Sequence, residues 1–173
     1  GSGHDLTLNF TRETAIDSSF SGVANLTSIG DVSLNGPITT SGGQTYQAHV
    51  TLAGDTNLSG TAGSFGSGVS GNSNSLLLNF SQSASLGGLF NNLVDFTSLG
   101  DVTVNGTIST SANQTYAANV SLAGATTLEG NAASFATGVA GENNAFTINF
   151  TGAATALAGI SNVSTFTADS DVS

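Results

Sequence analysis

Short runs in which apolar and polar residues alternate recur from one end of the chain to the other. "DVSLN" at 31–35, "QAHVTLA" at 47–53, "TNLSG" at 56–60 and "SLLLNFS" at 75–81 are typical. A period of two, rich in β-branched residues, sends successive side chains to opposite faces and predicts strands. Gly, Asn and Ser stand at each break, as tight turns require. No stretch of helical length carries an i, i+3, i+4, i+7 stripe, and Gly recurs too often for one. The pattern predicts an all-β protein.

The pattern is also written more than once. "QTYQAHVTLAGDTNLSG" at 44–60 returns as "QTYAANVSLAGATTLEG" at 114–130, and "LTLNFT" at 6–11 returns as "LLLNFS" at 76–81 and "FTINFT" at 146–151. Between 26–69 and 96–139, 26 of 44 positions are identical without a gap. The chain is therefore one segment, 1–173, divided into copies at 1–70, 71–140 and 141–173. Each 70-residue unit divides into three stretches, 26–49, 50–74 and 75–95 in the first full copy.

Two architectures accommodate three strand-rich stretches per unit. One is a parallel β-solenoid of about seven coils, three to a repeat. The alternative is a string of small β-sandwiches. The repeat has no linker at its boundaries, and a coil stack tolerates copies that start and stop mid-unit, so the solenoid is the expectation. Its inward side chains would be Val32, Leu34, Ile38, Val50, Leu52, Leu58, Phe65 and Val69 with their counterparts, among them Val102, Val120, Leu122, Leu128 and Phe135. Aligned residues such as Phe10, Phe80 and Phe150 are expected to stack inside.

Composition narrows the function. Only 7% of residues are charged, against about 25% in an ordinary domain. Arg12 is the single cation of the Lys/Arg class, against 11 acidic residues, for a net charge of −10. That balance excludes phosphate neutralisation in a nucleic-acid complex and attraction to an anionic membrane. No apolar run reaches the ~20 residues of a spanning helix. No secretory leader is evident, so an export signal is expected outside this stretch. With no Cys there is neither a disulfide framework nor a thiolate metal site. An apolar content of 38% argues against disorder.

Candidate chemistry is sparse. His4 and His49 become Asn74 and Asn119 one repeat later, so the pattern does not need imidazole, and they are read as surface or corner residues. Acidic residues drift between copies, except Asp31, Asp101 and Asp171, which keep register in "GDV", "GDV" and "SDV". These three are read as turn formers capping their own backbone, with a calcium site as the alternative. No catalytic residue and no cofactor is expected. A sugar-cleaving groove would need aromatic rings, and Tyr46 and Tyr116, without any Trp, offer little. The sequon N-x-[ST] occurs at Asn9, Asn25, Asn57, Asn79, Asn105, Asn113, Asn119, Asn149 and Asn162, read mainly as Asn at corners and secondarily as glycosylation. Thr-rich strands suggest a flat ice-binding face, but no regular T-x-T marks every coil.

The residues Gln44, Thr45, Tyr46, Val50, Leu52, Thr56, Leu58 and Gly60, repeated from Gln114 to Gly130, carry a resemblance. The chain resembles the repeat region of large secreted bacterial surface proteins of the filamentous haemagglutinin type, exported by two-partner secretion. The resemblance implies a right-handed parallel β-helix at the cell surface or outside the cell, serving as the shaft of an adhesin, without catalysis. It also implies partners among host-cell, glycan or surface ligands, and adjoining coils of the same longer chain or end-to-end copies. Nucleic acid and membrane insertion are not among them. The alternatives are a self-assembling filament subunit and a glycan-binding or glycan-cleaving β-helix.

Overall fold

In the computed structural model, residues 3–156 and 159–169 are described. They form eighteen strands in one continuous sheet, with no helix among the described residues. Neighbouring strands run parallel, and paired residues lie 17 to 21 positions apart in sequence. A parallel neighbour at so short a distance means that the chain returns to its starting point after every turn and climbs one strand spacing. That is a β-solenoid.

Each turn has three faces. On the first, Leu6, Leu26, Gln44, Gly63, Ala84, Val102, Val120, Val139 and Ile160 lie one above the next, so the described residues make about nine turns. On the second face the ladder runs Thr14, Val32, Val50, Val69, Phe90, Ile108, Leu128, Ile148. On the third it runs Ile38, Leu58, Leu78, Ser98, Tyr116, Phe135. At about 4.8 Å between strands, the nine-turn stack is roughly 40 Å long. Alternation within each strand points one set of side chains into the prism and the other to solvent.

The turn is shorter than the 21 to 25 residues expected from dividing 70 by three. Between Leu26 and Phe96, one repeat apart, the chain passes eleven faces, or three and two-thirds turns. Equivalent residues of successive copies therefore sit on different faces. Leu26 pairs with Gln44 on the first, whereas Phe96 pairs with Gln114 on the third. Val32 pairs with Val50 on the second, and Val102 with Val120 on the first. The physical reason is that all three faces have the same construction, a short strand plus a corner. A unit of eleven faces can start on any of them, and nothing requires a whole number of turns.

The same rotation removes the expected stack of Phe10, Phe80 and Phe150. Phe10 is 54% exposed, while Phe80 and Phe150 are buried beside Gly60 and Gly130 respectively. The core is filled by vertical neighbours from different positions of the repeat. Val32, Val50, Leu52, Leu58, Phe65, Val102, Val120, Leu122, Leu128 and Phe135 are all buried. Aromatic rings run up the interior from Tyr46 to Phe65 (5.1 Å), Phe90 (5.7 Å), Phe96 (6.3 Å), Tyr116 (5.6 Å) and Phe135 (4.9 Å). Phe90 carries this column across the core, from the first face to the third, where the second copy's Gln-Thr-Tyr segment lies.

Backbone contact between turns is close enough to select glycine. Gly30 and Gly100, one repeat apart, sit against the carbonyl oxygens of Phe10 and Phe80 in the turn before, where no Cβ fits.

Burial predicts two different outcomes from adjacent substitutions. Leu52→Ala should cost about 2–5 kcal/mol, because the hole lies between packed turns and cannot collapse. Thr51→Ala, on the outward side, should stay within about 0.5 kcal/mol of the parent. Urea titration of both variants measures this, and equal losses would contradict the assignment of inward and outward positions.

Candidate functional site

The polar residues that the fold buries are few and follow the repeat. Ser28, Thr40, Gln44 and Thr56 are buried in the first full copy, and Ser98, Thr110, Gln114 and Thr126 in the second. They are the same four positions, and each answers a main-chain group at a corner. Ser28 Oγ donates to Gly30 O (3.0 Å) and Ser98 Oγ to Gly100 O (2.9 Å). Thr40 and Thr110 likewise donate to the carbonyls of Gly42 and Ala112. Thr56 and Thr126 donate back to Gly54 and Gly124. At Gly42 and Ala112 the carbonyl also accepts from Thr61 N and Asn131 N of the turn above, so the hydroxyl is a second donor there. A buried carbonyl left unpaired costs about 1–3 kcal/mol.

Glutamine makes the longest such bridge. Gln44 Nε2 donates to Ile38 O (3.1 Å) and to Ser59 O (2.9 Å) of the next turn, and Tyr46 Oη donates to Gln44 Oε1 (2.9 Å). Gln114 repeats the arrangement with Ile108 O and Glu129 O, both at 2.9 Å, and accepts from Tyr116 Oη at 2.8 Å. This explains why Gln-Thr-Tyr is spelled identically in both copies: two alternate residues point inward as a bonded pair while Thr faces out. Burial pushes both tyrosine hydroxyls well above their ordinary range. Neither ring is available to line a sugar-binding groove.

Acidic side chains perform a related task on the outside of the corners. Asp31 O accepts from Thr14 N in the turn below, so the downward-pointing N–H of His49 above has no main-chain acceptor there. The Asp31 carboxylate takes it at 3.1 Å. Asp101 does the same for Asn119 N at 3.0 Å, and also accepts from Asn119 Nδ2. Asp5, Asp55 and Asp95 bind the N–H of Asn25, Ser75 and Asn113 in the same way. These aspartates therefore join successive turns and do not cap their own backbone, which corrects the turn-former reading of Asp31 and Asp101. Asp171 lies outside the described residues. Asp31 stands at a corner before the second face and Asp101 before the first, so the two do not converge. Among the described residues no group of three or more His, Asp or Glu side chains is placed to hold a metal ion.

His4 is exposed at the first strand, His4–Leu8. The His49 ring spans two turns, with Nε2 2.9 Å from Ser70 Oγ and Nδ1 3.3 Å from Ser67 O. Asp31 meets the main-chain nitrogen of His49 and not its ring, so these residues do not form a relay. The second copy has Asn119 at this position, and the corner there holds an open cleft of about 370 Å³ bordered by Asp101, Asn119, Thr137 and Ser161. A second groove of about 300 Å³ crosses the third face between Pro37, Asp55, Leu77 and Asp95.

One surface feature escaped the reading by repeats. On the first face the outward row is Thr7, Thr27, Thr45, Ser64, Ser85, Thr103, Ser121, Ala140, Ser161, with a hydroxyl at every turn but one. Its spacing is the turn and not the repeat, so only knowledge of the register brings these residues into line. Among the described residues no helix is long and apolar enough to cross a membrane. Comparison with models of known protein families, with curated proteins and with solved structures finds no match. The fold and its corner chemistry define a β-solenoid repeat protein.

Replacing Gln114 with Leu should destabilise the protein by about 2–5 kcal/mol, since two buried carbonyls and the Tyr116 hydroxyl lose their partner together. Thr115→Ala, between them but outward, should be nearly neutral; a denaturant series on both variants checks the contrast. A raised tyrosine pKa in the folded state also sets a pH dependence. The stability contributed by neutral Tyr46 and Tyr116 is complete below the unfolded value of about 10 and falls as pH rises beyond it. Tyrosinate absorbance should therefore appear only together with unfolding, and titration near pH 10 with circular dichroism intact would contradict the buried placement.

Proposed function

We propose that the chain is a shaft segment of a large secreted bacterial surface protein, a stiff spacer that holds a binding region away from the cell. The observation that carries this reading is the unbroken stacking of about nine turns on three equivalent faces, with one column of apolar and aromatic side chains inside. Such a rod grows by adding repeats without a new core design, because each turn contacts only its neighbours. Every interior strand is hydrogen-bonded on both edges, so bending or stretching must break a full rung of bonds.

The composition supports an exposed life. With a net charge of −10 and a single Arg, the surface repels anionic lipid and like copies. The polar outward rows of Ser, Thr and Asn keep the rod hydrated with few charges. The resemblance of the Gln-Thr-Tyr segments to exported haemagglutinin-type repeats points the same way. On this reading the partners are the adjoining turns of a longer chain and, beyond the shaft, a host-cell, glycan or other surface ligand.

Immunogold electron microscopy of intact cells of the source organism, with antibody raised against this chain, tests the proposal. The expected result is label on filaments outside the envelope. Label confined to the cytoplasm of sectioned cells, with none on intact ones, would overturn it.

A further inference from the structure

Nine asparagines carry the N-x-[ST] signal, yet only one set recurs at the repeat distance: Asn9, Asn79 and Asn149, in "NFT", "NFS" and "NFT". The other six lose the signal in another copy. Asn25 becomes Asp95, Asn57 becomes Thr127, and Asn119 replaces His49. The structure explains the exchange at the first of these positions. Asn25 Oδ1 accepts from Gly43 N (2.7 Å) and Asp95 Oδ1 from Asn113 N (3.0 Å), so what persists there is an acceptor and not an asparagine.

Asn9, Asn79 and Asn149 behave in the opposite way. All three are exposed, and their side chains make no hydrogen bond with the described residues. Corner chemistry therefore gives no reason to keep Asn, while the residue two places on changes between Thr11, Ser81 and Thr151 yet keeps its hydroxyl. Strand alternation sets the geometry. Leu78 and Phe80 are buried on either side of Asn79, and Ile148 and Phe150 on either side of Asn149. Asn79 and Asn149 consequently project outward, with Ser81 and Thr151 exposed beside them, and Asn9 and Thr11 are both exposed after the end of the first strand. The Thr151 hydroxyl also donates to Asn131 Oδ1 at 3.3 Å.

We infer that Asn9, Asn79 and Asn149 are a recurring N-glycosylation site, one per repeat, taking sugar from an activated donor. In the transfer, Asn Nδ2 attacks the anomeric carbon of a sugar carried on a nucleotide or lipid diphosphate. The bond from that carbon to the phosphate oxygen breaks, the diphosphate leaves, and the displaced Nδ2 proton passes to a base of the transferase. Three and two-thirds turns per repeat then distribute the sugar. Asn9 follows a strand of the first face, Asn79 lies on the third beside Ser59, and Asn149 on the second beside Glu129. Successive glycans stand about 18 Å apart along the axis on different faces, so three repeats cover the rod all round.

The test is mass spectrometry of peptic peptides from the full chain purified from its source organism. The expected result is sugar-residue mass increments on the peptides containing Asn9, Asn79 and Asn149. A chain carrying Asn→Gln at all three, made in the same organism, should lose that mass and keep its melting temperature within about a degree. Recovery of the three parent peptides only at unmodified mass would overturn the inference. So would sugar confined to the other sequons, or a triple variant that retains the parent's added mass.

Discussion

Every turn of the prism bends the main chain three times, and main-chain groups at the bends lie beside a dry interior, some bonded to the next turn through the backbone and others not. Peptide groups there still need partners, because a buried N–H or C=O without one costs about as much as a whole interaction contributes elsewhere. The rest of the molecule is arranged around this constraint. Ser28, Thr40, Gln44 and Thr56 answer it from inside, and Asp31, Asp55 and Asp95 from outside by reaching to the turn above. Once the corners are closed, the flat faces need only alternate apolar and small polar residues. This is why the strands tolerate exchanges such as Leu34 for Val104 while Gln-Thr-Tyr persists.

The corners also explain what the 70-residue period records. Positive φ angles recur with it, at Gly68 and Gly138, at Asn72 and Glu142, at Asn92 and Asn162. The period therefore counts corners, eleven of them, and leaves the number of turns fractional. Vertical neighbours are drawn from different parts of the repeat, as when Val50 stands between Val32 and Val69. A rod built so has no face that accumulates all copies of one feature. Carboxylate and sequon are each carried round the axis.

Much of this was legible in the residues. Period-two runs broken by Gly and Asn announce strands and turns, and the inward set from Val32 to Phe135 follows from alternation alone. The length of the turn was not legible, because a repeat reveals only where the pattern recurs, and three equivalent faces make eleven-face and nine-face units look alike along the chain. The role of Asp31 was hidden for the same reason, since its partner His49 is identified by the register. The first-face hydroxyl row from Thr7 to Ser121 has turn spacing, which a 70-residue alignment scatters.

The fractional turn is the claim on which the rotation of surface features depends. Its most direct test is the axial length of a chain of nine tandem 70-residue repeats, measured by electron microscopy of single particles. Three and two-thirds turns per repeat predict a rod of about 160 Å, whereas three turns per repeat would give about 130 Å. The shorter rod would contradict the account.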